Sequence, residues 1–92
     1  MKNSITAIVH GEYQYPTMPK PKQFTEKVTF TMIPPDDDVH YGTGYYMSVT
    51  GFANGYDQLI DVRYEGTTDV EKLARRFIEN YWGSNLHEYT FE

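Results

Sequence analysis

The run of three aspartates at positions 36–38, with His40 close behind, is the stretch whose residue types come nearest to a metal site. Successive side chains of an extended chain point apart, so three adjacent carboxylates cannot converge on one ion. A calcium-binding EF-hand loop counted from the first aspartate needs Gly and an acidic residue where Tyr41 and Met47 stand. We therefore predict a solvated acidic turn, with no metal and no cofactor.

Residues that could serve as a nucleophile or a general base are scattered. His10, His40 and His87 lie far apart in the chain, and no Gly-x-Ser-x-Gly, His-Glu-x-x-His or Gly-rich phosphate-binding motif is present. The Gly-Thr-Gly segment at 42–44 precedes a predicted strand, whereas a phosphate-binding loop needs a following helix. The absence of Cys excludes a disulfide, a thiolate zinc site and a cysteine nucleophile. We predict that the protein is not an enzyme.

A more informative set is aromatic and basic. Tyr46, Phe52, Leu59 and Arg63 are predicted to share the face of a β-hairpin that points away from the helix. Aromatic residues with Arg are typical of binding hot spots, although such side chains also pack against other strands or a second subunit, and both interpretations stay open. With the acidic residues added, the candidate binding residues are Asp36, Asp37, Asp38, Tyr46, Phe52, Asp61 and Arg63.

The hairpin that positions this set is predicted from Asn54-Gly55, which lies between two alternating runs of β-forming residues. A type I′ turn needs positive φ at both central residues, and Asn-Gly supplies it. With these two as the loop, one face of the hairpin is wholly apolar and the other mostly polar, and a slip of one residue would invert them. The apolar pairs of this register are Tyr45–Tyr64, Met47–Val62 and Val49–Ile60.

An amphipathic helix is predicted to follow the hairpin. Thr68 is the expected N-cap, because Glu71 three residues later completes a capping box, and Gly83 is the expected C-cap. The apolar stripe that should cover the hairpin consists of Val70, Leu73, Ala74, Phe77, Ile78 and Tyr81.

The remaining elements complete an α+β domain. Residues 4–15 and 24–33 alternate as strands, the prolines between them force an extended connection, and 86–91 is a possible short last strand. The order β-β-β-β-α predicts a four-stranded antiparallel meander with one helix packed on one face, in a single domain spanning 1–92. One helix rarely covers four strands. We therefore expect either a strongly curled sheet or apolar surface left for a second subunit, as in a homodimer.

Charge is unevenly distributed along the 92 residues, whose net charge is −5. Residues 1–33 carry +2, residues 34–66 carry −5 and residues 67–92 carry −2. An acidic middle repels phosphate backbones, so we expect no direct nucleic-acid binding. No N-terminal apolar run and no membrane span are visible, so the expected compartment is the cytoplasm and no membrane partner is expected.

Two functional hypotheses remain. The first is a small acidic protein-binding module that acts as an inhibitor or adaptor against a basic, for example nucleic-acid-binding, protein. Carboxylates can stand in for phosphates there, and phage counter-defence proteins are one setting for that chemistry. The second is a homo-oligomer that stacks its Tyr and Phe residues on a nucleotide-like or aromatic ligand, with Arg63 or lysines taking an anionic group.

Overall fold

A computed structural model describes residues 4–33 and 46–92, which form an antiparallel sheet with a helix packed on one face. The strands and the helix, in chain order, are β1 (Ser4–Tyr13), β2 (Lys22–Ile33), β3 (Tyr46–Thr50), β4 (Gln58–Asp61), α1 (Val70–Trp82) and β5 (Leu86–Phe91). A 3-10 turn (Gly83–Asn85) joins α1 to β5.

The sheet has five strands in the order β4-β3-β2-β1-β5. The α+β class, the antiparallel sheet and the covering helix are confirmed, but the predicted count of four strands is wrong because Leu86–Phe91 is a full strand. β5 pairs with β1, where Tyr89 lies opposite Val9 and Phe91 lies opposite Ala7. This pairing places two aromatic rings on the helix side of the sheet, where they extend the apolar interior.

β1 and β2 form a long regular hairpin, as their alternating sequences predict. Ala7 lies opposite Val28 and Ile5 lies opposite Phe30, and all four side chains are buried on the helix side. β1 ends at Tyr13, two residues earlier than predicted, because the proline-containing connection that follows cannot continue a ladder.

The β3–β4 pair is a hairpin, but its predicted register is wrong by two residues. Met47 lies opposite Ile60, whereas the prediction placed Val62 there. The loop spans residues 51–57 and contains a turn in which the Gly55 N–H donates to the Phe52 carbonyl (3.0 Å). The predicted type I′ turn is also wrong. Such a turn needs positive φ at both Asn54 and Gly55, but among the described residues only glycines have positive φ. A shift of two leaves the side chains within β3 and β4 on their predicted faces, because the side-chain period of a strand is two.

The long β3–β4 loop depends on glycine at two places. Gly51 has φ 95° and Gly55 has φ 78°, and residues that carry a Cβ rarely adopt these backbone angles. A Cβ on Gly51 would also lie 2.6 Å from the Lys27 carbonyl oxygen, whereas a Cβ on Gly55 would meet open space. Gly51 therefore permits a close backbone approach to β2, and Gly55 serves the turn alone.

The helix is confirmed with its N-cap displaced by one residue. Asp69, and not Thr68, caps it: Asp69 Oδ1 accepts from the N–H groups of Glu71 (3.0 Å) and Lys72 (3.4 Å). A carboxylate is favoured at this position because it also faces the positive end of the helix dipole. At the other end Gly83 has φ 52° and its N–H donates to the Glu79 carbonyl, as the C-cap prediction required.

α1 lies closest to β1 and β2, which are adjacent in the sheet and separated from β4 by β3, and the core fills the space between the helix and these strands. Trp82 is buried and stacks on Phe24 with ring centroids 6.4 Å apart, although the predicted stripe did not include it. Tyr81, which the stripe did include, is 44% exposed. The opposite face of the sheet is rich in Ser and Thr, including Thr6 and Thr29, whose hydroxyls are hydrogen-bonded (3.0 Å).

Candidate functional site

The hydrogen-bonding pattern of the sheet determines which backbone groups lie free at its β4 edge. The Glu92 N–H donates to the Thr6 carbonyl (2.9 Å), so even-numbered residues of β1 bond towards β5 and odd-numbered ones towards β2. Residues of an antiparallel strand bond alternately to the two neighbouring strands. Following the registers across the sheet, odd-numbered residues of β2 bond to β3, and odd-numbered residues of β3 bond to β4.

In β4 this alternation assigns Gln58 and Ile60 to the bonds with β3. The N–H and C=O groups of Leu59 and Asp61 consequently point away from the sheet. Within the part of the chain that the structure describes, β4 is a terminal strand of the sheet and no strand pairs with these groups. β4 is therefore an edge that can accept another strand.

Tyr46, Asp61 and Arg63 come together on the outer side of this edge. Tyr46 lies opposite Asp61 in the ladder, and both side chains are on the face away from the helix. Arg63 holds the Asp61 carboxylate through Nε (3.0 Å to both oxygens) and Nη2 (2.6 Å to Oδ2). The Arg63 guanidinium also lies 5.5 Å from the centre of the Tyr64 ring, which is 88% exposed. Of the set predicted to share the outer face, Tyr46 lies in the ladder beside Asp61, and Arg63 joins it through the Asp61 carboxylate.

The Asp61–Arg63 pair joins two residues that are two positions apart in the chain, and it does not link two strands. β4 ends at Asp61, and the Arg63 N–H donates to Asp61 Oδ1 (3.0 Å) as the chain turns away. The side-chain hydrogen bonds from Arg63 lower the pKa of the Asp61 carboxyl from its ordinary value of 3.8. The same contact raises the pKa of Arg63. This pair keeps its two opposite charges together at the end of β4.

An apolar groove lies on the inner side of the same edge, between α1 and the β3–β4 hairpin. Its volume is about 300 Å³. The groove forms because α1 is centred over β1 and β2 and leaves the helix side of β4 incompletely covered. The apolar lining is Met47, Ile60, Val62, Leu73 and Phe77.

Polar side chains form the mouth of the apolar groove. Arg76 Nη1 donates to the Glu65 carbonyl (2.7 Å) and to Glu65 Oε2 (3.3 Å), so these two residues are held together across the opening. Asn80 and Tyr81 complete the rim. An apolar interior with a few polar groups at the mouth is the usual composition of a site that takes an apolar side chain or a small ligand.

A second, more polar cavity of about 450 Å³ lies at the other edge, where the β1–β5 register shifts at Gly11. Gly11 is needed there, because a Cβ would overlap the Asn85 carbonyl oxygen and the Phe24 ring. The lining residues are His10, Gly11, Gln23, Phe24, Thr25, His87 and Glu88.

The histidines of the polar cavity make ordinary surface contacts. His10 Nδ1 is hydrogen-bonded to the Thr25 hydroxyl (3.0 Å), and His87 Nε2 lies 3.2 Å from Glu12 Oε1. A hydroxyl beside an imidazole resembles a nucleophile–base pair, but among the described residues no third group orients the His10 ring.

Phe52 is placed differently from its prediction. The sequence placed it on the outer face as a binding anchor, but it is only 6% exposed and its ring contacts Phe77, Tyr81 and Trp82 of the helix. Phe52 follows the end of β3, where strand alternation no longer applies, and the loop folds its ring under the helix. Tyr64 is likewise not on the apolar face, since β4 ends before it.

The remaining predicted residues are the three aspartates and Leu59. Asp36, Asp37 and Asp38 lie outside the described residues. Leu59, 45% exposed, lies on the outer face as predicted, opposite Ser48. The sequence analysis missed the groove, because Leu73 and Phe77 look like ordinary core positions of a helix. The only hint was the mismatch between one helix and a wider sheet.

Residues 4–33 and 46–92 contain no group of three or more acidic or histidine side chains arranged to hold a metal ion. In the same residues no helix has both the length and the hydrophobicity to span a bilayer.

The fold and the site define a small α+β domain with an open sheet edge beside an apolar groove. Comparisons with protein-family models, with curated proteins and with solved structures gave no match to this chain.

Proposed function

We propose that this protein is a non-catalytic protein-binding module, which acts as an inhibitor or adaptor by occupying a basic surface of another protein. The observation that carries the proposal is the concentration of binding features at one edge of the sheet. Backbone groups that no described strand pairs with, an apolar groove, and the outer patch of Tyr46, Leu59 and Arg63 all adjoin β4. Such a combination supplies both the apolar anchors and the directional hydrogen bonds that protein interfaces use.

Charge supports a basic partner. Residues 46–92 hold eight Asp and Glu against four Lys and Arg, which gives this part of the chain a net charge of −4. A surface of this sign accelerates association with a basic surface and repels a phosphate backbone. A nucleic-acid-binding protein presents the kind of basic surface that would match it.

Affinity capture at two salt concentrations tests this proposal. The immobilised protein should retain a basic protein from a lysate of its source at about 50 mM salt and release it near 500 mM, because screening weakens exposed charge pairs. Tyr46→Ala should reduce the amount of partner retained, since Tyr46 lies in the outer patch beside β4. Tyr15→Ala is the matched control, because Tyr15 is an exposed tyrosine in the β1–β2 connection, away from the outer patch. The proposal would be contradicted if no protein were retained at low salt and released at high salt, or if both variants lost the same amount of retained protein.

A second candidate function is small-ligand binding, which the polar cavity of about 450 Å³ favours. Phe24 offers a ring for stacking, and Gln23, His10 and Glu88 offer polar contacts to a planar ligand. Binding would raise the melting temperature in proportion to the logarithm of ligand concentration. A panel of nucleotides and aromatic acids should then stabilise the unmodified protein and not Gln23→Ala. The absence of any shift at millimolar ligand would exclude this candidate.

A further inference from the structure

We infer that β4 accepts an extended peptide of the partner as an additional antiparallel strand, with an apolar side chain of that peptide seated in the groove between β4 and α1. This inference rests on the proposed protein-binding function and specifies how binding occurs. The strand would pair with the outward N–H and C=O groups of Leu59 and Asp61. Recognition by strand addition draws affinity from the backbone and specificity from pockets for alternate side chains.

The position of the groove matches the side-chain alternation of an added strand. Residues paired across a ladder place their side chains on the same face of the sheet. A peptide residue opposite Ile60 therefore directs its side chain to the helix side, where Ile60 itself lines the groove. The volume of about 300 Å³ is at the small end of ligand sites, which suits side chains of a peptide more than a whole cofactor.

The neighbouring residues of the same peptide would meet a different surface. Side chains opposite Leu59 and Asp61 lie on the outer face, beside the exposed Leu59 side chain and the Asp61–Arg63 pair. The peptide that fits is thus apolar at the position facing the groove and polar or amphipathic on either side.

Charge at the edge favours a basic peptide. Arg63 pairs with Asp61 and Arg76 pairs with Glu65, which leaves Asp57 without an ion pair among the described residues. Asp57 immediately precedes β4, so its negative charge lies at one end of the exposed edge. A Lys or Arg at the corresponding end of the peptide would complement it.

A second copy of the chain fits this edge less well than a peptide. β4 spans Gln58–Asp61, about 14 Å of extended chain, and two such strands pair over too few residues to approach the ~1,200 Å² of a stable interface. Self-pairing would also bring together residues 46–92 of two copies, and this part of each chain carries a net charge of −4.

The opposite edge of the sheet differs on its helix side. There the Arg75 guanidinium lies 4.9 Å from the Phe91 ring centre and 5.8 Å from that of Tyr89. A strand added to β5 would therefore meet the Arg75 side chain on that side. At β4, in the part of the chain that the structure describes, outward backbone groups adjoin an apolar groove that can take a side chain.

The test uses a phage-displayed library of random decapeptides selected on the immobilised full chain, followed by affinity measurement on the enriched peptides. Enriched sequences should carry an apolar residue flanked by polar ones, with Lys or Arg near one end. N-methylation of the two residues flanking the apolar one should weaken binding at least about tenfold, because their N–H groups face β4. N-methylation of the apolar residue itself should be tolerated, since its N–H faces away.

Protein variants give an independent readout. Leu59→Pro removes an outward N–H and leaves the bonds between β3 and β4 in place, so peptide affinity should fall at least about tenfold while Leu59→Ala retains most of it. Asn80→Trp should block the groove mouth and Asn80→Ala should not. Because the N-methylated peptides act on unmodified protein, a variant that misfolds does not decide the question.

Several outcomes would overturn the inference. They are selection of no peptide, enrichment without alternation, equal effects of the two N-methylation patterns, or a dimer in sedimentation that Leu59→Pro dissociates. If a salt-released protein partner is captured equally by Leu59→Pro and by the unmodified chain, the strand-addition inference fails and the proposed function stands. If no such partner is captured, the proposed function fails, and the peptide selection still decides whether β4 accepts a strand.

Discussion

Met47 and Ile60 lie opposite each other in the β3–β4 ladder, both on the helix side, yet their environments differ. Both side chains line the apolar groove, but Met47 is 1% exposed, whereas Ile60 is only partly buried. Met47→Ala should therefore destabilise the protein by about 2–5 kcal/mol, the range for a fully buried side chain, and Ile60→Ala by about 1–2 kcal/mol. Urea unfolding of both variants measures the difference. A loss at Ile60 equal to that at Met47 would mean that the groove is closed in solution.

Alanine substitutions at Gly51 and Gly55 distinguish the effect of backbone strain from that of steric overlap. Both have positive φ, so an Ala at either position should be destabilising by about 1–2 kcal/mol. Gly51→Ala should be worse, because its Cβ would also meet the Lys27 carbonyl at 2.6 Å, whereas Gly55 has open space. Thermal unfolding of the two variants gives the ranking, and a lower melting temperature for Gly55→Ala would contradict the loop geometry.

The N-cap assignment distinguishes two adjacent residues. Asp69→Ala removes the acceptor of the Glu71 and Lys72 N–H groups and should cost about 1 kcal/mol, while Thr68→Ala should change stability by less than about 0.5 kcal/mol. Chemical denaturation of the pair is sufficient to measure this. The opposite order would restore the capping box that the sequence predicted.

The Asp61–Arg63 contact has a pH signature. Because the folded-state pKa of Asp61 lies below its ordinary value of 3.8, the contact stabilises the folded protein above that pH and is lost as pH falls through the folded-state pKa. Arg63→Ala should raise the pKa of Asp61 towards 3.8, as followed by carboxyl ¹³C chemical shift. Arg76→Ala is the matched control, since Arg76 pairs with Glu65. An Asp61 pKa that Arg63→Ala leaves unchanged would show that the contact does not form in solution.

The acidic run at 36–38 lies outside the described residues, so its prediction rests on charge alone. Replacing Asp36, Asp37 and Asp38 with Asn removes three negative charges and keeps the side-chain size. Association with a basic partner should slow and its salt dependence should flatten, because steering charges act mainly on the association rate. Surface plasmon resonance with the captured partner measures both rates at two salt concentrations. Indifference to the change at both concentrations would remove the role of this run in steering.

Within the regular strands and most of α1, the direction that a side chain faces could be read from the sequence, because alternation in a strand and three-to-four spacing in a helix are local properties of the backbone. Val28 and Phe30 in β2, and Leu73 and Ile78 in α1, are buried as their spacing predicts. The same local logic located the C-cap at Gly83 and the boundaries of β5.

Only the tertiary structure decided how these elements meet. The register of β3 against β4 depended on the conformation of the loop, and registers that differ by two residues place the same side chains on the same faces. Phe52 lies in the core because the loop folds beneath α1, which strand alternation cannot predict.

The candidate site arises in the same way. Among the described residues, the outward backbone groups of Leu59 and Asp61 meet no further strand, because β4 ends the strand order. Leu73 and Phe77 line a groove because α1 is centred over β1 and β2. The sequence by itself determined which residues are apolar, acidic or aromatic and, within the regular strands and most of α1, which way each faces. Whether such a residue becomes core, rim or open edge depends on neighbours distant in the chain, and that arrangement is a property of packing.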